Sequence, residues 1–189
     1  MREVAFEEGS SLRRIEEYAF SYCSSLKSIS LPEGLETLGV RCCYMSALEE
    51  ISLPSSVTGL EDETCFRCEG LKKIIFQERS RLQKIGDSCF SSTSLEEFVA
   101  PPELRQIEGG AFFYCTKLKR VVLNEGLKVL ADKDGSGVLQ NTRIEEITLP
   151  STLRKIGKLT FKRCSSLKTV YVKRGCQANF SGLDMSPTV

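Results

Sequence analysis

The stretch LRQIEGGAFFYCTKLKRVVL, residues 104–123, decides the fold because the same frame returns near both ends of the chain. Near the start it reads Leu12-Arg13-Arg14-Ile15, Ala19-Phe20, Cys23, Leu26, Ile29 and Leu31-Pro32; near the end, Leu153-Arg154-Lys155-Ile156, Thr160-Phe161, Cys164, Leu167, Val170 and Val172. The opening apolar residue recurs at Leu12, Leu35, Val57, Leu82, Leu104, Leu127 and Leu153, in steps of 23, 22, 25, 22, 23 and 26 residues. That period argues for stacked coils before any globular alternative. A single coil leaves one side of its apolar set wet; stacking buries it, so folding depends on several neighbours.

Within each unit an L-x-x-I/V/F-x-L/V/A pattern supplies a strand. The aligned segments run 26–31, 48–53, 71–76, 95–100, 118–123, 144–149 and 167–172, and the opening segment fits the frame with Met1, Val4 and Phe6. The last two apolar residues of each segment are one residue apart, so both point inward. Eight short parallel strands forming one continuous sheet follow. The intervening A-F-x-x-C-x-x-L region, clearest over 19–26 and 111–118, reads as a short helix or 3₁₀ turn covering the other side. Its Ala permits close approach, while Phe and Cys fill the space between coils. Pro32, Pro54 and Pro150 end strands where further ladder bonding is unnecessary.

The segments 12–32, 104–123 and 153–172 resemble the BspA-like branch of the leucine-rich-repeat family, with the pattern L-x-x-I-x-x-x-A/T-F-x-x-C-x-x-L-x-x-I/V-x-L/V. The resemblance runs from the first strand to Val172. Together with the strand and turn pattern it implies an α/β leucine-rich-repeat solenoid, a right-handed superhelix with a parallel concave β-sheet and short helical or 3₁₀ segments on the convex side. It also implies protein recognition or adhesion at a microbial surface. The expected organisation is a single domain over 1–189. A first strand at 1–6 has no evident N-terminal cap, and the repeat body spans 12–172. The tail, 173–189, loses the repeat and uses Cys176, Phe180, Leu183 and Met185 as a partial cap. Two stretches, 42–48 and 89–95, are one residue short between matching anchors, and 130–144 is three residues longer than its counterparts.

Composition narrows the chemistry. Lys and Arg total 26 against 25 Asp and Glu, intermingled, which is no nucleic-acid footprint. The chain has no histidine, so imidazole acid–base chemistry and His-containing triads or metal sites fall away. No nucleophile–base pair, clustered carboxylate site, phosphate loop or cofactor motif is present, and the chain reads as non-enzymatic, with no cofactor and no metal.

Nine cysteines remain. Cys23, Cys68, Cys115 and Cys164 share one repeat position, Cys42 and Cys89 take the Ala position, and Cys43 and Cys65 the Phe position; only Cys176 lies outside. They read as small buried hydrophobes, with the Cys65-Phe66-Arg67-Cys68 string as half a zinc site or a redox pair the alternative. Asp132, Asp134, Ser136 and Gly137 match the first half of a calcium loop, but Arg143 stands where the bidentate Glu belongs, so the segment reads as a polar bulge. Asn179-Phe180-Ser181 is a formal glycosylation sequon. The N-terminal MREVAFEEGSS has no secretory signal and no run of residues spans a membrane, which leaves the compartment open and excludes integral membrane contact.

Two regularities locate a face. The first polar strand position reads Arg2, Lys27, Glu49, Lys72, Glu96, Lys119, Glu145, Lys168, alternating in sign from Lys27 onward; the next reads Glu3, Ser28, Glu50, Lys73, Glu97, Arg120, Glu146, Thr169. Opposite charges on adjacent strands support register, and ligand contact can be added to that role. The position between the inward residues reads Ala5, Ser30, Ser52, Ile75, Val99, Val122, Thr148, Tyr171. Ile75, Val99 and Val122 satisfy strand propensity or form a recognition stripe with Thr148 and Tyr171, flanked by Lys72, Glu96, Lys119 and Glu145. The expected function is a protein-binding or adhesion module using this concave face for an unidentified protein partner. The alternative is a structural scaffold or self-assembly segment that associates end to end through exposed solenoid ends.

Overall fold

The computed structural model describes residues 2–186 and is a β-solenoid with three-sided coils. Two sets of short strands alternate along the chain. One comprises β1 (Glu3–Val4), β3 (Ser28–Ile29), β5 (Glu50–Leu53), β7 (Lys73–Phe76), β9 (Glu97–Val99), β11 (Arg120–Val122), β13 (Glu146–Leu149) and β15 (Thr169–Val172). These lie where the L-x-x-I/V-x-L pattern places them; Met1, given a strand position above, lies outside the described residues. The other set is β2 (Arg14–Ile15), β4 (Thr37–Leu38), β6 (Gly59–Leu60), β8 (Lys84–Ile85), β10 (Gln106–Ile107), β12 (Val129–Leu130) and β14 (Lys155–Ile156). It is built from the L-x-x-I segments that open each repeat.

The pairing departs from the single sheet expected. The first set forms four separate parallel pairs, β1–β3, β5–β7, β9–β11 and β13–β15, with one further bridge, Ser30 to Ser52. The uninterrupted sheet is the second one, seven parallel strands in the order β2-β4-β6-β8-β10-β12-β14. Each of its strands buries one residue, Ile15, Leu38, Leu60, Ile85, Ile107, Leu130 and Ile156, so every coil meets its neighbour through the same apolar row.

The third side corrects the expected helices: among the described residues there are none. Their place is taken by a ladder of turns. Amides of alternate residues donate to the next coil instead of back along the chain, as in Tyr18 to Val40 (3.2 Å), Phe20 to Cys42 (2.7 Å) and Tyr22 to Tyr44 (2.8 Å). The same pattern links Glu63, Cys65 and Arg67 to Asp87, Cys89 and Ser91. Since an α-helix needs those donors for its own i−4 carbonyls, the inter-coil ladder and the helix are mutually exclusive. Residues four apart adopt the left-handed conformation, Tyr18 and Tyr22 (φ 59 and 57°), Arg41 and Met45 (54 and 52°), Ser88 and Ser92 (51 and 57°). Each such residue costs on the order of 1–2 kcal/mol, offset by the bonds the turn makes to its neighbour.

The core runs the length of the stack. Phe90, Phe98, Phe112 and Phe161 are fully buried among the leucines, with Phe98 and Phe112 rings 4.6 Å apart and Phe90 and Phe112 5.7 Å apart. At the C-terminal end the tail closes the seven-stranded side. The Gln177 amide donates to Leu153 and that of Asp184 to Lys158, and Ala178 is buried while Cys176, Phe180 and Leu183 are half-buried against the core. Met185, expected in that cap, is exposed although its neighbours stay bonded to the stack, Asp184 donating to Lys158 and Ser186 accepting from the Arg163 amide.

Candidate recognition face

The face carrying β1 through β15 of the first set holds every residue singled out for binding. Lys72, Glu96, Lys119, Glu145, Val99, Val122, Thr148 and Tyr171 are exposed and Ile75 is half-buried. Val99 and Val122 are directly opposite each other in the β9–β11 pair, as are Thr148 and Tyr171 in β13–β15, and Ile75 faces Ser52 in β5–β7. The stripe is therefore three short patches, because Ile75 and Val99 are not hydrogen-bonded neighbours, nor are Val122 and Thr148.

Between β7 and β9 the face opens. Nearly all Cα–Cα distances between these strands exceed 8 Å. The residue before the strand donates to the preceding coil at Glu49 to Lys27, Lys72 to Glu49, Lys119 to Glu96 and Lys168 to Glu145, but Glu96 makes no such bond to Lys72, nor Glu145 to Lys119. The opening is a groove of about 1010 Å³ between Ile75 and Val99, floored by Phe76 and Phe98, whose rings meet edge to face at 6.2 Å. A smaller and more polar groove of about 610 Å³ lies between β11 and β13. The other two sides of the solenoid stay closed at the first opening: β6 remains paired to β8 and β8 to β10.

The coils on the two sides of each opening differ at the corner leading into the strand. Cys23, Cys68, Cys115 and Cys164 are followed three residues later by the buried or half-buried Leu26, Leu71, Leu118 and Leu167, and each corner is closed by the Leu amide donating to the Cys carbonyl at 2.9–3.0 Å. In the alternate coils Ser46, Thr93 and Thr142 occupy the corner, with only one residue before Leu48, Leu95 and Ile144. Cysteine and hydroxyl coils interlock in one direction. Cys115 donates its thiol to the Phe90 carbonyl (3.0 Å), which also accepts the Thr93 hydroxyl (2.9 Å). Cys164 and Thr142 share the Leu139 carbonyl in the same way (3.0 and 2.8 Å). Cys68 donates to Cys43 (3.0 Å) with its sulfur 3.3 Å from the Ser46 hydroxyl.

These clamps join the coils whose strands pair, β5–β7, β9–β11 and β13–β15. The two openings fall at steps without a clamp; the β3–β5 step also has none and is held instead by the Ser30–Ser52 bridge and the Glu49 to Lys27 and Ala47 to Cys23 backbone bonds. The structural unit is thus two coils, not one. Ser46, Thr93 and Thr142 were not legible as a set in the sequence; the alternation of C-x-x-L with S/T-x-L showed there only as two shortened stretches, with Thr142 inside the lengthened one.

All nine cysteines are free, and seven of them are buried. Burial pushes the Cys115 thiol up to about 11, so it stays protonated at neutral pH. Cys65 and Cys68 point into the core, and among the described residues no group of three or more Cys, Asp or Glu converges as a metal site. In the lengthened coil Lys133 and Ser136 exchange backbone bonds (3.2 and 2.8 Å) across a tight turn, and the Asp132 carboxylate accepts the Leu159 amide at 2.6 Å. Among the described residues no helix is long and apolar enough to cross a membrane.

The charge ladder is engaged in part. Lys27 pairs with Glu49 (2.8 Å), Glu145 with Lys168 (3.2 Å), and Glu97 with Arg120. The Lys27 hydrogen bond holds the Glu49 carboxyl below the usual carboxylate range. Among the described residues Lys72, Lys73, Glu96 and Lys119 make no ion pair: two bridges that strict alternation offers, Lys72 to Glu96 and Lys119 to Glu145, would have to cross the openings.

A stack of short parallel strands with a leucine in each corner is a leucine-rich-repeat solenoid. The BspA type leucine-rich repeat region matches residues 2–119 and 83–181, in six copies, and the chain belongs to that family. It is similar to a leucine-rich repeat protein from Bacteroides ovatus at 27% identity and TM-score 0.77, covering 92% of this chain and 46% of that one. The leucine-rich repeat protein of T. pallidum matches at 28% identity and TM-score 0.72, covering 82% and 72% respectively. The pneumococcal vaccine antigen PcpA shares the fold at 24% identity and TM-score 0.61, covering 92% and 43%. The chain thus spans less than half the length of the Bacteroides ovatus protein. No curated protein matches it.

Proposed function

We propose that the chain is a non-enzymatic protein-binding module, of the kind used in adhesion, whose recognition surface is the face of the strand pairs, concave in the solenoid. The observation that carries this reading is the exposed apolar pair Val99 (48% exposed) and Val122 (36%), set among charged residues and beside the groove of about 1010 Å³. Exposed apolar groups ringed by charge are the composition of a recognition patch, which gains from desolvation at its centre while the rim keeps the free protein soluble. Membership of a repeat family whose scaffolds commonly present such faces to proteins supports it.

Val99→Asp and Val122→Asp, each first shown by circular dichroism to retain the fold, should weaken a specifically captured protein partner by about tenfold or more. Unchanged affinity for every captured partner in both variants rejects this face. The second reading, association through the solenoid ends, is favoured by the outer edge of β15, where Tyr171 and Val172 are exposed (52 and 49%). Self-capture that survives both substitutions would support it in place of the first.

A further inference from the structure

We propose that the opening between β7 and β9 takes an extended segment of a partner protein, which hydrogen-bonds to both strands and completes the interrupted ladder. The inference rests on the reading of the strand face as the recognition surface. Gln77 donates to Leu53, on the β5 side, and Ala100 donates to Val122, on the β11 side. Backbone direction alternates along a strand. The N–H and C=O groups of Ile74 and Phe76 therefore face the opening from β7, and those of Glu97 and Val99 face it from β9. No backbone bond crosses from one strand to the other among the described residues.

The separation leaves room for a strand. Paired strands stand about 4.7–4.9 Å apart, so strands flanking an inserted one stand about 9–10 Å apart. Cα–Cα distances here are nearly all beyond 8 Å. The Phe76 and Phe98 rings close the floor, so a guest lies over an aromatic surface without entering the core. Main-chain groups unsatisfied on two facing edges recognise backbone, the recognition mode of β-augmentation.

Side chains set the sequence of the guest. Lys73 and Ile75 project outward from β7, and the repeat alignment of 71–76 with 95–100 places them level with Glu97 and Val99. Lys73 has no ion pair among the described residues, whereas Glu97 is neutralised by Arg120. An acidic residue of the guest would complement Lys73, and an apolar residue two positions away would rest between Ile75 and Val99. Its alternate residues, over the phenylalanine rings, are small or apolar.

The test uses the whole chain and a panel of capped eight-residue peptides alternating threonine and valine, with aspartate or lysine substituted at each position in turn. Position-resolved hydrogen exchange reads the amides of Ile74, Phe76, Glu97 and Val99. The best aspartate-bearing peptides should slow these amides by about tenfold, and their lysine counterparts should bind about tenfold more weakly. Methylating alternate peptide nitrogens should abolish the protection. Protection confined to the outer edges of β1 or β15, indifference to N-methylation, or no slowing by any peptide would overturn the proposal. A captured partner lost on Val122→Asp but retained on Val99→Pro, which removes an amide facing the opening together with the valine side chain, would sink strand insertion and leave a recognition face centred on Val122 standing.

Discussion

The two strand-bearing sides of the same coils solve the stacking problem differently. The β2-to-β14 side is an unbroken sheet of seven two-residue strands, each contributing one buried aliphatic residue. The opposite side has longer strands, up to four residues, yet it breaks into pairs. Longer strands offer more hydrogen bonds, so length is not what keeps a ladder closed. What differs is the corner feeding each strand. The unbroken sheet follows similar turns, with the Leu35, Val57, Leu104, Leu127 and Leu153 amides returning to the residue three before at 3.1–3.3 Å. The broken side alternates cysteine corners with shorter hydroxyl corners, and only one of the two successive steps carries the thiol–hydroxyl–carbonyl clamp. A solenoid can thereby keep a continuous core and still open one face at chosen intervals.

Packing gives the largest test of this contrast. Phe112 lies within a clamped pair of coils, fully buried against Phe90 and Phe98, while Phe76 is half-buried at the floor of the opening. Phe112→Ala should cost roughly 3–5 kcal/mol in urea unfolding. Phe76→Ala should cost roughly 1–2 kcal/mol, since only part of its surface leaves water. Equal losses would mean the step between pairs is packed as tightly as the pairs themselves.

The clamp has a pH signature of intermediate size. Cys115 holds its proton up to about 11 in the fold, against an ordinary thiol value of 9.0. The unfolded chain releases that proton first, so the contribution is complete below about pH 9 and is lost as pH rises toward about 11, amounting to roughly 2–3 kcal/mol. Stability measured by denaturant at about pH 8 and about pH 11 should fall less in Cys115→Ala than in the unmodified chain, by about that amount. An identical fall in both would remove Cys115 from the account.

How far the sequence could be read follows from the same physics. Strands on the paired face were legible because four-residue runs such as Glu146–Leu149 alternate inward and outward residues. Two-residue strands such as Arg14–Ile15 cannot show a period, so the unbroken sheet was invisible. The turn side mimicked a helix because Ala111, Phe112 and Cys115 have helical spacing, and because its left-handed positions hold Tyr18, Arg41 and Ser88, residue types that carry no such signal. The stripe residues share one face, and Val99 and Val122 are neighbours as the alignment implied. That Ile75 and Val99 are not depends on the clamp, and a hydroxyl beside a thiol in the next coil is a contact that only the stacked register creates.

Charge supplies the smallest and most discriminating comparison. Glu145 and Glu96 occupy equivalent strand positions, but Glu145 pairs with Lys168 at 3.2 Å, whereas Glu96 makes no ion pair among the described residues. Glu145→Gln should cost about 0.2–1 kcal/mol, and the loss should shrink at about 1 M salt, where exposed charges are screened. Glu96→Gln should change unfolding by less than that and show no salt dependence. If the two variants instead behave alike, Lys72 or Lys119 must reach Glu96 in solution. The former would require β7 and β9 to approach each other, and the contrast between paired strands and open steps would then describe one conformation of a face that closes and opens rather than a fixed groove.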